Sequence, residues 1–302
     1  MAPSGPLIFG EVLFDCFPDG AEVLGGAPFN VAWHLQSFGA APLLVSRVGD
    51  DERGRRIIQA MNDQGMDRGA LQLDRQRATG TVEIHLQQGQ PSYTISLDQA
   101  FGWIEVEPAQ LPRRAALIYH GSLALWHPES RQALSRLRDH CAAPLFIDVN
   151  LRPPWWERAA VLSLLEGASW VKLNDEELEQ LQPQPGSDQD RVQRLLKRYR
   201  LQGVILTRGE QGARLFLADG RQLEVKPAGE LPVVDTVGAG DGFSAVCILG
   251  LLRGWPPELM LERAQEFASV LIAQQGATIA DPGLYATLLQ RWSSGDTVAK
   301  PE

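Results

Sequence analysis

A rhythm of short apolar strands and helical segments runs through most of this chain, and it restricts the fold more than any other feature. LIFGEVLFD (7–15) reads as a strand with a bend at Gly10. PFNVAWHLQSFG (28–39) reads as a helix, with Val31, Leu35 and Phe38 on one face and Gly39 as its stop. PLLVSRVG (42–49) is the next predicted strand and DERGRRIIQAMNDQG (51–65) the next helix. Further strands are predicted at AALIYHGS, APLFIDVN, SWVKLN and GVILTRG, with helices near 128–140, 155–166, 174–181 and 189–200. Such alternation predicts an α/β fold, a mostly parallel sheet covered by helices.

One segment breaks the rhythm. TGTVEIHLQQGQPSYTISL (79–97) alternates with a period of two, placing Val82, Ile84 and Leu86 on one face and Glu83 and His85 on the other. QQGQP supplies a turn. With no crossover helix, the segment predicts a hairpin that leaves the main sheet as a flap. QPQPGSDQD (182–190) reads as a surface loop, because the pattern continues beyond it, and SSGDTVAKPE (293–302) as a frayed tail.

The 37 acidic residues outnumber the 28 Lys and Arg, a formal net charge of −9, which argues against nucleic acid or an anionic membrane as partner. The longest apolar run, near Phe243–Leu252, is too short to span a bilayer. The N-terminus lacks a basic region followed by an apolar one. Cys16, Cys141 and Cys247 form neither a disulfide ladder nor a zinc pattern, and the expectation is a reduced, cytoplasmic protein. The five histidines (34, 85, 120, 127 and 140) show no metal spacing. Lysine is scarce, only Lys172, Lys197, Lys226 and Lys300, so anion binding is expected to rest on Arg, backbone N–H groups or a metal.

In open parallel sheets ligands bind beyond the carboxyl ends of the strands. The residues expected there are Asp15 after VLF, Asp148, Asn150 and Arg152 at LFIDVNLR, Asn174 after WVKL, Thr207 to Gly209 after VIL, and Asp235 after LPVV. GGAPFN (25–30) adds paired glycines, Gly25 and Gly26, against which a small ligand can lie. Asn30 follows, with an amide that both donates and accepts; a glycine turn with proline near the helix start explains the same residues. Asn174 and Glu177 stand three apart and suit either water around Mg²⁺ or a capping box. LTRGEQGARLF (206–216) admits a nucleotide near Gly209 and Gly212, or is a plain hairpin. Asp148, Asn150 and Arg152 orient phosphate or sugar groups, or form a local ion-pair and turn network.

A deeply buried helix is predicted from Gly240 to Leu252, with GAGD at its N-terminus. Bare N–H groups there, reinforced by the helix dipole, make an anion site without lysine. Asp241 would repel a resting phosphate, but it suits a hydroxyl that attacks one.

GGAPFNVAWHLQSFG and DTVGAGDGFSAV closely resemble the two signature segments of the ribokinase-like sugar kinases, the phosphofructokinase-B family. VGDDERGRRI, DVNLR, KLNDEEL and LTRGEQG resemble that family in the same order, so the resemblance covers nearly the whole chain. GEVLFDCFPDG, TGTVEIHL, PSYTI and DVNLRPPWW look most like its bacterial fructokinase branch. The resemblance implies one Rossmann-like domain over 1–302, with a small β lid from about 12–27 and 79–98. It implies transfer of the ATP γ-phosphate to a sugar hydroxyl, fructose first among candidates. By motif position Asp241 is the base, and Gly238, Ala239 and Gly240 form the anion hole. Asp15, Gly25, Gly26 and Asn30 hold sugar hydroxyls, with Arg152 on the substrate side. Asn174 and Glu177 order Mg²⁺ and phosphate, and Thr207, Gly209 and Gly212 lie against ATP. Gln265 stands where an Asn is more usual near adenine. A monovalent cation, K⁺, is implied near the loop opened by Asp235, and a homodimer through the exposed face of the lid.

The chain departs from the fructokinase pattern after PSYTI, where QAFGWIEV replaces the usual approach to Ala-Trp-Asp and no acid sits beside Trp103. The alternatives within the class are a 2-keto-3-deoxygluconate kinase or another sugar or nucleoside kinase. A catalytically silent sugar-binding regulator is the alternative outside it, opposed by the intact Asp241, GAGD and Asn174/Glu177. No GxGxxG follows the first strand and no GK[ST] occurs, which excludes a dinucleotide oxidoreductase and a Walker-type ATPase.

Overall fold

The computed structural model describes residues 5–87, 90–96, 98–108, 111–228 and 233–295. In chain order the strands are β1 (Leu7–Phe9), β2 (Leu13–Cys16), β3 (Glu22–Gly25), β4 (Leu43–Gly49), β5 (Leu71–Asp74), β6 (Gly80–Gln87), β7 (Gln90–Ile95), β8 (Ile118–His120), β9 (Leu145–Asp148), β10 (Trp170–Asn174), β11 (Gly203–Thr207), β12 (Ala213–Leu217) and β13 (Gln222–Val225). The helices are α1 (Ala27–Ser37), α2 (Glu52–Asp63), α3 (Pro128–His140), α4 (Arg158–Leu164), α5 (Asp175–Leu181), α6 (Asp188–Tyr199), α7 (Ala239–Arg253), α8 (Pro257–Ile272) and α9 (Pro282–Gly295).

Among the described residues, nine strands form one sheet in the order β13-β12-β11-β10-β9-β8-β1-β4-β5. It is parallel from β5 through β11, and β12 and β13 join antiparallel. Alternation along the strands splits the apolar side chains between two layers. Ile8, Tyr119, Phe146, Trp170 and Ile205 face α1, α7 and α8, whereas Leu7, Phe9, Ile118, Ile147 and Val204 join the layer of α3 to α6. α6 shows the local logic: Ser187 and Asp190 form a capping box at its start, and Val192, Leu195, Leu196 and Tyr199 make its buried stripe. α7 is apolar all round and lies deep, and Gly242 lets α8 approach it, since a Cβ there would fall 2.0 Å from Leu271 Cδ1.

A second sheet has the order β3-β2-β6-β7, with β2 parallel to β6 and the other pairs antiparallel. The expected 7–15 strand is therefore two strands in two sheets. Gly10, at φ +147°, turns the chain between them, where a Cβ would strike Pro28 Cγ at 2.5 Å. The predicted hairpin at 79–97 is β6 and β7; Val82 is buried and Glu83 and His85 are exposed. The side chain of Leu86 and residues 88, 89 and 97 lie outside the described residues, as do residues 296–302 of the expected tail. No helix of the described residues is long and apolar enough to cross a membrane.

Candidate active site

The seven parallel strands end on one edge of the large sheet, and several of the predicted site residues follow those ends. Asp148 ends β9 and Arg152 follows it, Asn174 ends β10, and Thr207 ends β11 opposite Asn174. Two residues arrive differently from the expectation. Asp15 lies inside β2 of the second sheet, because the chain has already left the large sheet at Gly10. Asp235 ends no strand among the described residues. It lies in a loop whose Val234 and Asp235 amides donate to Ile272 O at the end of α8, at 2.8 and 3.2 Å.

The N-terminus of α7 is the centre of the site. Gly238 caps it in the left-handed region at φ +80°, and a Cβ there would lie 2.5 Å from Ala277 Cα. Gly240 is exposed, so the amides of the first turn face the cleft. Asp241 sits in this turn and accepts a hydrogen bond of 2.7 Å from Asn30 Nδ2 on α1. Loss of water pushes the Asp241 carboxyl above the ordinary carboxylate range; the Asn30 bond and the charges of Lys172 and Arg152 pull it down, and Asp148 pushes it up. Asp235 braces the preceding loop by accepting from Val237 N at 2.9 Å and Gly276 N at 3.0 Å.

The floor below this turn is ionic, which the lysine-poor composition did not foretell. Lys172 Nζ donates to Asp148 Oδ1 and Oδ2 at 3.0 and 2.8 Å, and Ser244 Oγ donates to Oδ2 at 2.7 Å. All three residues are buried. Nζ also lies 3.4 Å from where a Cβ on Gly240 would stand, so a cation lies beneath the first turn of α7. The lone Lys between apolar neighbours in SWVKLN was the available signal, since an unpaired lysine is almost never buried.

At the start of α1, Gly26, at φ +106°, caps the helix and passes close to Glu11 O, which a Cβ would meet at 2.8 Å. A Cβ on Gly25 would sit 3.3 Å from Asp15 Oδ2, so Asp15 overhangs the glycine pair. Burial raises Asp15 to about 6; Arg152 lowers it, and Asp241 and Asp235 raise it. Asp15 is therefore within electrostatic reach of Arg152, Asp241 and Asp235.

The Asn174–Glu177 pair is a complete capping box. Glu177 N donates to Asn174 Oδ1 at 2.8 Å, while Glu177 Oε2 accepts from Asn174 N at 2.9 Å and Oε1 from Leu151 N at 2.7 Å. Burial raises the Glu177 carboxyl despite these donors. The pair therefore fastens the segment bearing Arg152 to the start of α5. LTRGEQGARLF is a strand, a tight turn and an antiparallel strand, with Gly209 at φ +53° and Gly212 at φ +84°. Gly212 packs so closely that a Cβ would meet Val225 O at 2.0 Å, whereas Gly209 has open space above it. Gln265 lies on α8 and donates to Ser269 Oγ at 3.4 Å. It stands about 10 Å along the helix from Ile272, by the rise of 1.5 Å per residue. Sequence reasoning missed Lys172, Ser244, Glu11 and Tyr119 as parts of this region.

The arrangement suits phosphoryl transfer: exposed backbone donors for a charged group, a carboxyl beside them, and a polar wall opposite. Comparison with known proteins agrees. The profile of the pfkB family carbohydrate kinases matches residues 17–283. Fructokinase-1 of Oryza sativa subsp. japonica is 30% identical over 289 residues, covering 86% of this chain and 88% of the relative. The fructokinase of Klebsiella pneumoniae is 30% identical over 310 residues, covering 94% and 97%. The crystal structure of aminoimidazole riboside kinase from Salmonella enterica, complexed with aminoimidazole riboside and an ATP analogue, superposes with a TM-score of 0.79 at 25% identity, covering 94% and 99%. With its signature segments meeting at one cleft, the chain belongs to the pfkB family of carbohydrate kinases and is an ATP-dependent phosphotransferase.

Proposed function

We propose that this protein phosphorylates a sugar hydroxyl, with fructose the favoured acceptor and Asp241 the base. The observation that carries the reading is the Asn30–Asp241 hydrogen bond at the mouth of α7. It joins the acceptor-side helix to the exposed amides of the phosphate side. Fructose is favoured because the relatives at 30% identity are fructokinases.

Asp15, Gly25, Gly26, Asn30 and Arg152 hold the acceptor sugar. Asp241 takes the proton of the attacking hydroxyl, and the raised affinity of its carboxyl for a proton favours that role. The amides of Gly238, Ala239 and Gly240, over the Lys172 cation, stabilise the charge on the moving group. Thr207, Gly209, Gly212 and Gln265 line the nucleotide side. ATP supplies the phosphoryl group and Mg²⁺ screens its charge when they are bound. The described residues contain no group of three or more His, Cys, Asp or Glu that could hold a metal. Asn174 and Glu177 would be the outer partners of an ion held mainly by water and phosphate oxygens. Asp235 is the residue fitted to K⁺: it is half-buried, each carboxylate oxygen accepts one amide, and lone pairs remain. Two copies pair through the outer face of the second sheet, which sedimentation would check.

The test is an ATP-consumption assay over fructose, 2-keto-3-deoxygluconate and aminoimidazole riboside. Highest kcat/KM on fructose is expected. Preference for either other acceptor overturns the fructose assignment, and sugar binding without turnover would favour a regulator.

A further inference from the structure

Helix α1 reaches the start of α7 twice. Asn30 does so directly, giving Nδ2 to Asp241. One turn further on, Trp33 and His34 reach it through the chain between α8 and α9. Trp33 Nε1 donates to Ile279 O at 2.9 Å, and His34 Nε2 lies 3.0 Å from Ala277 O. Residues 30, 33 and 34 share one face of the helix. Ala277 in turn backs onto Gly238, the cap of α7: a Cβ on Gly238 would stand 2.5 Å from Ala277 Cα and 3.0 Å from Ala277 O. The neighbouring Gly276 amide donates to Asp235, which also holds Val237 N. The segment from Gly276 to Ile279 is thus a wedge between α1 and the cap of α7.

His34 is fully buried, and both of its ring nitrogens are engaged. A carbonyl oxygen only accepts, so Nε2 carries the proton toward Ala277 O. Nδ1 is then the acceptor for the Tyr285 hydroxyl of α9, at 2.8 Å. Burial pushes the ring down to about 4, against the pull of the Ala277 carbonyl, so the neutral form holds at any working pH. The two bonds differ in what they reach. The Tyr285 bond fastens α9 to the body. The Ala277 bond holds the backbone on which Gly238 rests.

We propose that His34 is a positioning residue for phosphoryl transfer: its Nε2–H holds the Ala277 carbonyl and so keeps Gly238 and the first amides of α7 in register with Asp241, which Asn30 of the same helix holds from the other side. The proposal rests on the reading that the start of α7 receives the phosphate. Gly238 and Asp241 are the two ends of one helical turn, and both answer to α1. A shift of the wedge tilts the amides against the carboxyl, and misalignment of that kind costs rate out of proportion to its size.

Two variants separate the bonds. His34→Gln carries an amide nitrogen near the place of Nε2, so it keeps the donor to Ala277 O and loses the acceptor for Tyr285. His34→Asn does the reverse, with its amide oxygen near the place of Nδ1. Each loses one buried hydrogen bond and part of the ring, so thermal unfolding should show similar losses. In H34N kcat/KM for ATP should fall about three- to tenfold, the size of one buried hydrogen bond, with KM for sugar little changed. H34Q should restore most of that loss. Trp33→Phe, which keeps an aromatic ring and removes the donor to Ile279 O, should act in the direction of H34N. Equal loss of activity in H34Q and H34N would mean that His34 only fills the core, and overturns the proposal. A measurement without turnover separates this from failure of the kinase reading: hydrogen exchange of the protein alone, read over residues 236–242 and 274–279. Exchange there should quicken in H34N and stay near the parent in H34Q. Unchanged exchange, or an equal change in both, overturns the role of His34 whatever the substrate. Exchange that quickens in H34N alone, with kcat/KM for ATP unmoved, overturns instead the placement of phosphate at the start of α7.

Discussion

The two walls of the cleft are made of different material. The wall proposed for the phosphate is backbone: Gly238, Ala239 and Gly240 stand at the start of α7, and the side chains beneath them, Asp148, Lys172 and Ser244, are buried and hydrogen-bonded to one another. The wall proposed for the acceptor is side chains, Asp15, Asn30 and Arg152. Backbone donors serve any phosphoryl group and depend on a fixed chain path, so they tolerate little change. Side-chain donors and acceptors can be exchanged on the same path, which retunes the sugar without touching the transfer step. On the proposed assignment, reaction class and substrate choice lie in separate parts of the site.

Asp241 stands where the walls meet, and its replacement should have the largest effect. Asp241→Asn can keep a hydrogen bond to the Asn30 amide, so fold and sugar affinity should survive. Turnover should drop by roughly 10²–10⁴-fold, the usual contribution of a positioned base. Steady-state kinetics beside calorimetric sugar binding would check this. Near-normal turnover would mean that the acceptor wall needs no base.

The phosphate wall should fail through its support before its surface. Lys172→Met leaves the buried Asp148 carboxylate leaning on the Ser244 hydroxyl, and breaking a buried pair from one side costs about 3–5 kcal/mol. The double variant Asp148→Asn/Lys172→Met removes both charges and should regain part of that loss in denaturant titration. Equal stability of the single and double variants would show that the pair does not act as a unit. Gly238→Ala tests the surface itself. The left-handed φ of +80° costs a residue with a Cβ about 1–2 kcal/mol, and contact with Ala277 adds to it. Thermal unfolding should show that loss, with KM for ATP rising more than KM for sugar.

Legibility followed the same division. The start of α7 was readable because its backbone path requires particular residues at fixed spacing: GAGD at a helix start with an apolar run behind it. The sheet and most helices were readable from period alone, as with α6 and β10. The acceptor wall was readable only where it carried glycines and Asn30. Periodicity alone put Asp15 at the end of a single 7–15 strand, because it does not register a change of sheet at one glycine; the resemblance, with its lid from about 12–27, already set Asp15 apart from the large sheet. Glu11 looked like one acid in a strand whose exposure was unknown. Its burial follows from the change of sheet at Gly10, and no local pattern carries that. Lys172 and Asp148 were each visible, but their pairing follows from the β9–β10 register, Lys172 opposite Asp148.

The smallest expected effect concerns how the second sheet is held over the acceptor wall. Glu22 on β3 accepts from Arg53 Nε at 2.9 Å and Nη2 at 2.6 Å and also pairs with Arg56, both on α2 of the body. The Arg56 guanidinium lies 4.4 Å from the ring centroid of Phe14 on β2. The Arg53 hydrogen bond, then that of Arg56, hold the Glu22 carboxyl below its ordinary range. Such a carboxylate stabilises the fold above its unfolded pKa, and the contribution is lost as pH falls through the folded value. The groups are partly exposed, so the clamp is worth about 0.2–1 kcal/mol after screening. Glu22→Gln should therefore lower stability by no more than that at neutral pH, with no difference in strong acid. Its clearer mark should be kinetic: amides of β6 and β7 should exchange faster in the sugar-free variant, and bound sugar should restore their protection. Unchanged exchange in both states would mean that the second sheet is held by its packing on the body, not by this clamp, and that it does not close on the sugar.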